Sequence, residues 1–527
     1  MKEYGVFQFL LIGFILLLIH LSIGSKHFLY ILFITSLVII WLVSYVLYIL
    51  QKVYKKSTGR NYIKDRLNFK MSFYELYRFF KNADNQSLDM KRFKGENWKT
   101  AEGILFGYGD KGELVKLSSQ AEANIFVAGA PGSHKTSGIV LPTCGSYQGS
   151  ILAVDIKGDI YNYTKDKRDK VLRFCPDLCD SDGNNVALEK SCTFNPLRDI
   201  WKMSSSERKL FVTNMSIALI PTLNEKDTYF STNARKMFCG FVLFLIETCE
   251  GITFPEILHT ILHNQKPHSY SLEWFPENIF QWIELIASSP YPAAVEQVAS
   301  MIGNNEKNIS GVFDRLCTPL TLLTNEILDK LLIDTDNCIS ADMLEKGYDV
   351  FLQIRQENLE VYASLFTMII QNFMTSFSRR IDTSMGFHNR PILIILDEFP
   401  QLTFSYETIN SALSTLRSKS VQCMIIAQSI SQLGENYGNF GYQSLLGNCN
   451  YQLCLKANDD LTQQHFSNLC GTKRSLRKSF SQTDTSTEVR EPVYLPEEFG
   501  NLQNELVVYY NGKHAKIKKI KPYKSFL

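Results

Sequence analysis

Nine consecutive residues, Gly129-Ala130-Pro131-Gly132-Ser133-His134-Lys135-Thr136-Ser137, put two glycines, a lysine and a run of hydroxyls into one short loop. The apolar run Asn124-Ile125-Phe126-Val127-Ala128 leads into it and Gly138-Ile139-Val140-Leu141 leads out. A strand that enters such a loop and leaves as a helix is the setting in which successive backbone N–H groups and a positive helix end surround a phosphate. On that reading Gly129 to Ser137 bind the phosphates. Lys135 reaches the β and γ oxygens, and Thr136 ligates Mg²⁺. His134 stands where a glycine usually precedes the lysine. If the backbone there needs a positive φ, histidine carries strain that glycine would not. An ordinary strand-to-helix turn is the plainer reading of the loop taken alone.

A second group of reactive side chains lies far downstream. Pro391-Ile392-Leu393-Ile394-Ile395-Leu396 is a continuous apolar run that ends in Asp397-Glu398-Phe399-Pro400. Buried parallel strands read this way, and ligands collect at their carboxyl ends. Asp397 is expected to hold Mg²⁺ through its water shell, and Glu398 to orient and deprotonate an attacking water. A third run, Gln422-Cys423-Met424-Ile425-Ile426-Ala427, ends in Gln428, which can hydrogen-bond a γ-phosphate and register its loss. The plainer readings are an acid or an amide capping the next helix. The combined expectation is ATP with Mg²⁺. Lys135, Glu398 and Gln428 are the catalytic candidates, and Thr136 and Asp397 the metal ligands.

Further short apolar runs at Ile151–Asp155, Val350–Ile354 and Tyr451–Lys456 alternate with helical patterns, which predicts a parallel α/β sheet. From about 200 to 346 strand runs vanish and helical ones dominate, as in Ala234–Glu250 and Pro292–Ile302. That stretch is large enough to be an all-α unit of its own. Lys473–Arg490 is rich in Ser, Thr and charge and reads as a mobile loop. The tail through Val507-Val508-Tyr509-Tyr510 and the basic Lys513–Lys524 reads as a short hairpin.

The 527 residues carry Lys+Arg 55 against Asp+Glu 53, so net charge points neither to nor away from nucleic acid. None of the 12 cysteines forms a C-x-x-C pair, which argues against a cysteine metal site. Two uncharged stretches, Tyr4–Ile23 and Phe28–Leu50, are each long enough to span a bilayer. The basic flank from Lys52 to Lys70 predicts that both termini stay in the cytoplasm. The expected plan is an anchor over 1–52 (helices about 4–23 and 28–50) and a linker over 53–115. A nucleotide domain would follow from 116–199 and 347–527, with an all-α domain over 200–346.

The order of motifs resembles a known family. Gly129 to Thr136 with Pro142-Thr143 is followed by Val154-Asp155-Ile156-Lys157-Gly158-Asp159 and Phe194-Asn195-Pro196-Leu197. After the helical segment come Leu396-Asp397-Glu398-Phe399-Pro400, Ala427-Gln428-Ser429-Ile430-Ser431-Gln432-Leu433 and Leu446-Gly447-Asn448-Cys449. This is similar to the TraG/VirD-type coupling ATPases of conjugative type IV secretion systems. The resemblance implies a RecA-like P-loop domain carrying an all-α domain and a membrane-bound, hexameric motor. It also implies partners: DNA with a relaxase, and secretion channel components. An intersubunit arginine is typical of such rings, and Arg417 is a candidate. An FtsK-like DNA translocase, and a nucleotide-binding scaffold or receptor for protein secretion, are the competing readings.

Overall fold

The structure, a computed structural model, describes residues 101–222, 228–383, 389–479 and 485–520. Both expected membrane spans, Tyr4–Ile23 and Phe28–Leu50, lie outside the described residues. Among those described, no helix is long and apolar enough to cross a membrane.

Among the described residues thirteen strands follow in chain order: β1 (Ile104–Tyr108), β2 (Leu114–Leu117), β3 (Ile125–Gly129), β4 (Ser150–Asp155), β5 (Val171–Phe174), β6 (Asp349–Gln353), β7 (Ile392–Leu396), β8 (Val421–Ala427), β9 (Tyr451–Lys456), β10 (Thr472–Ser479), β11 (Thr485–Pro492), β12 (Glu505–Tyr510) and β13 (Lys513–Lys518). Eleven of them form one sheet in the order β2-β1-β13-β12-β9-β3-β8-β7-β4-β6-β5. The run from β9 to β5 is parallel throughout. The α/β expectation therefore holds, with an antiparallel extension of β12, β13, β1 and β2 on one side.

β3, β4, β7 and β8 are buried at every residue, because helices cover both faces of a parallel sheet. Alternate side chains divide between two cores. Ile125, Val127, Leu393, Ile395, Met424 and Ile426 face the helix that follows the phosphate loop. Phe126, Ala128, Ile394, Leu396, Ile425 and Ala427 face the opposite core, which runs continuously into the helical segment between β5 and β6. The one long polar side chain inside β8, Gln422, is fully bonded. Its amide donates to the Ser118 and Ala121 carbonyls at 3.2 and 2.8 Å, and its carbonyl accepts from the Tyr147 hydroxyl.

The helical segment is organised around Tyr229–Thr248, most of whose side chains are buried. Ser204 with Glu207, and Thr253 with Glu256, form reciprocal capping boxes that fix two helix starts. Gly240 lets the Pro292–Val298 helix approach closely; a Cβ there would stand 2.7 Å from Val298 Cγ1.

The described residues of Lys473–Arg490 lie in strands rather than in a loop. β10 and β11 pair in antiparallel register from Thr472 opposite Pro492 to Ser479 opposite Thr485. Its sequence lacks the apolar alternation by which strands are read. The β12–β13 hairpin does appear where expected, turning through Asn511 and Gly512, both at positive φ.

His465, on the helix Asp460–Cys470, donates from Nε2 to the Gln452 side-chain Oε1 at 2.8 Å. Burial pushes its imidazole down to about 4. Because the folded value lies below the unfolded one, its contribution is complete above about pH 6.5 and is lost as pH falls toward 4. Wild-type stability should drop by about 2 kcal/mol more than that of His465→Gln between pH 7 and pH 5. Urea titrations at the two pH values check this, and equal drops would refute it.

Candidate functional site

The chain leaves β3 through Ala130, whose N–H donates to the Lys456 carbonyl at 2.9 Å, and closes a turn by Ser133 N–H to Ala130 O at 3.1 Å. Gly132 lies at φ +74° and His134 at φ +69°. The backbone thus demands at His134 the left-handed conformation that glycine adopts freely. The imidazole partly compensates through an Nδ1 contact of 3.3 Å with Ser137 Oγ. Gly129 is required for a different reason: a Cβ there would lie 2.4 Å from Ser133 Oγ and 2.9 Å from Lys135 Cγ. The loop is wound so tightly that Lys135 Nζ donates back to the Gly129 carbonyl at 2.6 Å. From Thr136 to Val140 the helix begins with π-type turns and has no acidic side chain in its first turn. Its amino end is left electropositive.

β8 lies between β3 and β7, with Ala128 beside Ala427 and Ile425 beside Leu396. The loop after β3 and the acids after β7 are therefore two strand spacings apart, about 10 Å, at the same end of the sheet. Gln428 emerges between them. Its Nε2 donates to Glu398 Oε2 at 3.1 Å, so the amide is already engaged with the acid. Glu398 sits at φ +48°, a second non-glycine residue in the left-handed region, and its N–H donates to Asp397 Oδ1 at 3.1 Å.

Charge ties the two halves together. Burial pushes the Lys135 ammonium down, against Glu398 and Asp397, which both raise it; Lys157 lowers it further. Burial and then the neighbouring Glu398 push the Asp397 carboxyl up to about 6, opposed by Lys135. All four predicted residues thus converge: Lys135 and Thr136 on one side of β8, Asp397 and Glu398 on the other.

Two residues enter that were not among the predicted ligands. β4 neighbours β7, with Val154 beside Leu396, and ends in Asp155. Burial pushes the Asp155 carboxyl up to about 6, although it accepts the Tyr161 N–H at 2.8 Å. It fastens the turn that carries Lys157 toward the loop lysine. The Asp155-Ile156-Lys157-Gly158-Asp159 block was the available signal. Arg417, by contrast, lies at the amino end of β8, opposite Gln428. It donates from Nη1 to Asn450 Oδ1 at 3.2 Å, while its buried Nε has no partner among the described residues. Within one chain it cannot reach the loop.

The residues present suit a magnesium–phosphate group. Among the described residues Ser133 Oγ is buried without a partner. Among the described residues, the Thr136 hydroxyl and Asp397 Oδ2 have no hydrogen-bond partner. A cation has oxygen donors on one side, and an anion has N–H groups and two lysines on the other. The positive φ at position 134 yields a prediction. His134→Gly should be more stable than His134→Ala by about 1 kcal/mol, since alanine keeps the left-handed strain and glycine does not. Coincident chemical denaturation curves would show that the loop does not hold that conformation.

The chain is 25% identical to Protein VirD4 of Rhizobium radiobacter over 77% of this chain and 58% of that protein. It is 21% identical to the conjugal transfer protein TraG of Escherichia coli over 77% of this chain and 66% of that one. It therefore spans about three-fifths to two-thirds of the length of these curated relatives. Among solved structures, the bacterial conjugative coupling protein TrwBdeltaN70 in an unbound form superposes with TM-score 0.60 at 18% identity, covering 82% of this chain and 92% of that one. TrwB in complex with ADP and Mg²⁺ gives 0.61 at 15% identity, over 84% and 94%. At such identities the likeness establishes the fold alone. The model of the family described as Type IV secretory system Conjugative DNA transfer matches residues 82–525, and the chain belongs to that family.

Proposed function

We propose that this protein is a membrane-anchored ATPase of the RecA-like class that couples a relaxase–DNA complex to a type IV secretion channel and helps drive conjugative DNA transfer. The observation that carries the reading is the shared cleft. Lys135 and Thr136, and Asp397 and Glu398, flank the end of β8, with Gln428 bonded to Glu398 between them. Family membership and the fold shared with a coupling protein solved with ADP and Mg²⁺ support it. They also favour it over an FtsK-like translocase.

In this proposal the backbone N–H groups from Gly129 to Ser137 hold the phosphates, and Lys135 leaves the Gly129 carbonyl to meet them. Thr136 and Asp397 would hold Mg²⁺, which when bound neutralises phosphate charge. Glu398 orients a water and takes its proton. Gln428, released from Glu398, reports the γ-phosphate. Arg417 could serve only a neighbouring copy, in keeping with a hexameric ring. Anchor helices within 1–52, a linker over 53–115, a nucleotide domain from 116–199 and 347–527 and an all-α domain over 200–346 complete the plan. The localisation proposed is the cell membrane, with most of the chain cytoplasmic.

A second reading has one specific observation behind it. The strain at His134 suits a docking scaffold that binds nucleotide but turns it over slowly. DNA-stimulated ATPase assays separate the two. Lys135→Ala should abolish nucleotide binding and DNA transfer together. Glu398→Gln should keep nucleotide affinity within about threefold while turnover falls about 100-fold or more. DNA transfer that persists in Lys135→Ala would remove the motor role. Turnover unchanged in Glu398→Gln would remove the proposed base.

A further inference from the structure

At the end of the sheet opposite the phosphate loop, a cavity of about 350 Å³ is lined by Arg168, Asp169, Lys170, Lys346, Asp349 and Arg390. These residues come from the amino ends of β5, β6 and β7 and the turn before β5. Its floor is a buried ion pair. Arg168 binds Asp349 through Nε and, at 3.0 Å, through Nη2. The same guanidinium donates to the Tyr147 carbonyl at 2.8 Å and to the Gly149 carbonyl. Asp349 Oδ1 also accepts the Ile151 N–H at 2.8 Å. Both charges of the floor are spent on each other and on backbone.

The rim is different. Lys170, Lys346 and Arg390 stand against a single acid, Asp169, which leaves an excess of two positive charges. Among the described residues Arg390 is anchored by Nε to Ser150 Oγ at 2.9 Å. Its Nη groups lie over Gly347, where a Cβ would come within 3.0 Å of Nη2. Among the described residues neither the Arg390 fork nor the Lys346 ammonium meets an acceptor. Lys170 Nζ lies 5.1 Å from the Tyr348 ring centroid, a soft contact that leaves its charge unneutralised. A planar fork and two ammoniums from three separate segments, converging on a cavity with a neutralised floor, match a multiply charged oxyanion.

We propose that this cavity is a second phosphate site, separate from the Lys135 loop, which takes a diphosphate or a phosphomonoester. The group could come from a phospholipid headgroup or from a free phosphate compound.

The test uses the full chain in phosphatidylcholine nanodiscs, in a Lys135→Ala background that silences the phosphate loop. Pyrophosphate is titrated by calorimetry. Arg390→Ser combined with Lys346→Ser should weaken binding at least tenfold. Lys346→Ser alone, at an exposed position, should weaken it severalfold even if the double variant fails to fold. No pyrophosphate binding, or equal affinity with and without the rim substitutions, overturns the proposal. Repeating the titration in nanodiscs containing phosphatidic acid assigns the source. Competition that the rim substitutions abolish identifies a lipid headgroup, and undiminished binding identifies a soluble phosphate; either supports the site.

Discussion

β8 is the strand on which the chemistry depends. It pairs with β3 on one side and β7 on the other, and each of the three ends in a reactive side chain or loop. Strand spacing in a sheet is nearly invariant, so one strand between loop and acids holds them about 10 Å apart whatever the side chains do. That separation leaves room for a phosphate and its cation. The Gln428–Glu398 hydrogen bond is what occupies the gap in this conformation. The fully buried residues of β3, β7 and β8 make the spacing rigid, because shifting any of them would expose two apolar faces at once.

Strain accumulates at the same place. Among the described non-glycine residues at positive φ, His134 and Glu398 lie on the two sides of this cleft. Each such residue costs of order 1 kcal/mol, which the surrounding packing must supply. Lys135 is folded onto the Gly129 carbonyl and Asp397 is held toward its protonated form by burial. On the proposed function, phosphate and cation would offset both charges together.

Much of this was legible beforehand. Continuous apolar runs such as Ile392–Leu396 announce buried parallel strands, and two acids at the end of one announce a site. The order β3-β8-β7 was not legible, since parallel neighbours are chosen by crossovers that leave no local mark. Lys157 belongs to the Asp155–Asp159 motif, but its place beside Lys135 follows from β4 neighbouring β7, which the sequence does not mark. The β10–β11 ribbon leaves no mark in the sequence because its strands lack apolar alternation. Arg417 looked near the site in sequence, only eleven residues before Gln428, yet one strand length carries it to the opposite end of the sheet.

The central claim is that Lys135, Thr136, Asp397 and Glu398 serve one magnesium–triphosphate. Iron-mediated backbone cleavage tests it without relying on turnover. Fe²⁺ is substituted for Mg²⁺ in the presence of a non-hydrolysable ATP analogue, peroxide is added, and the fragments are mapped by mass. Paired cuts near Thr136 and near Asp397, both dependent on the nucleotide and both lost in Asp397→Asn, are the predicted result. Cuts confined to one of the two segments would contradict the account.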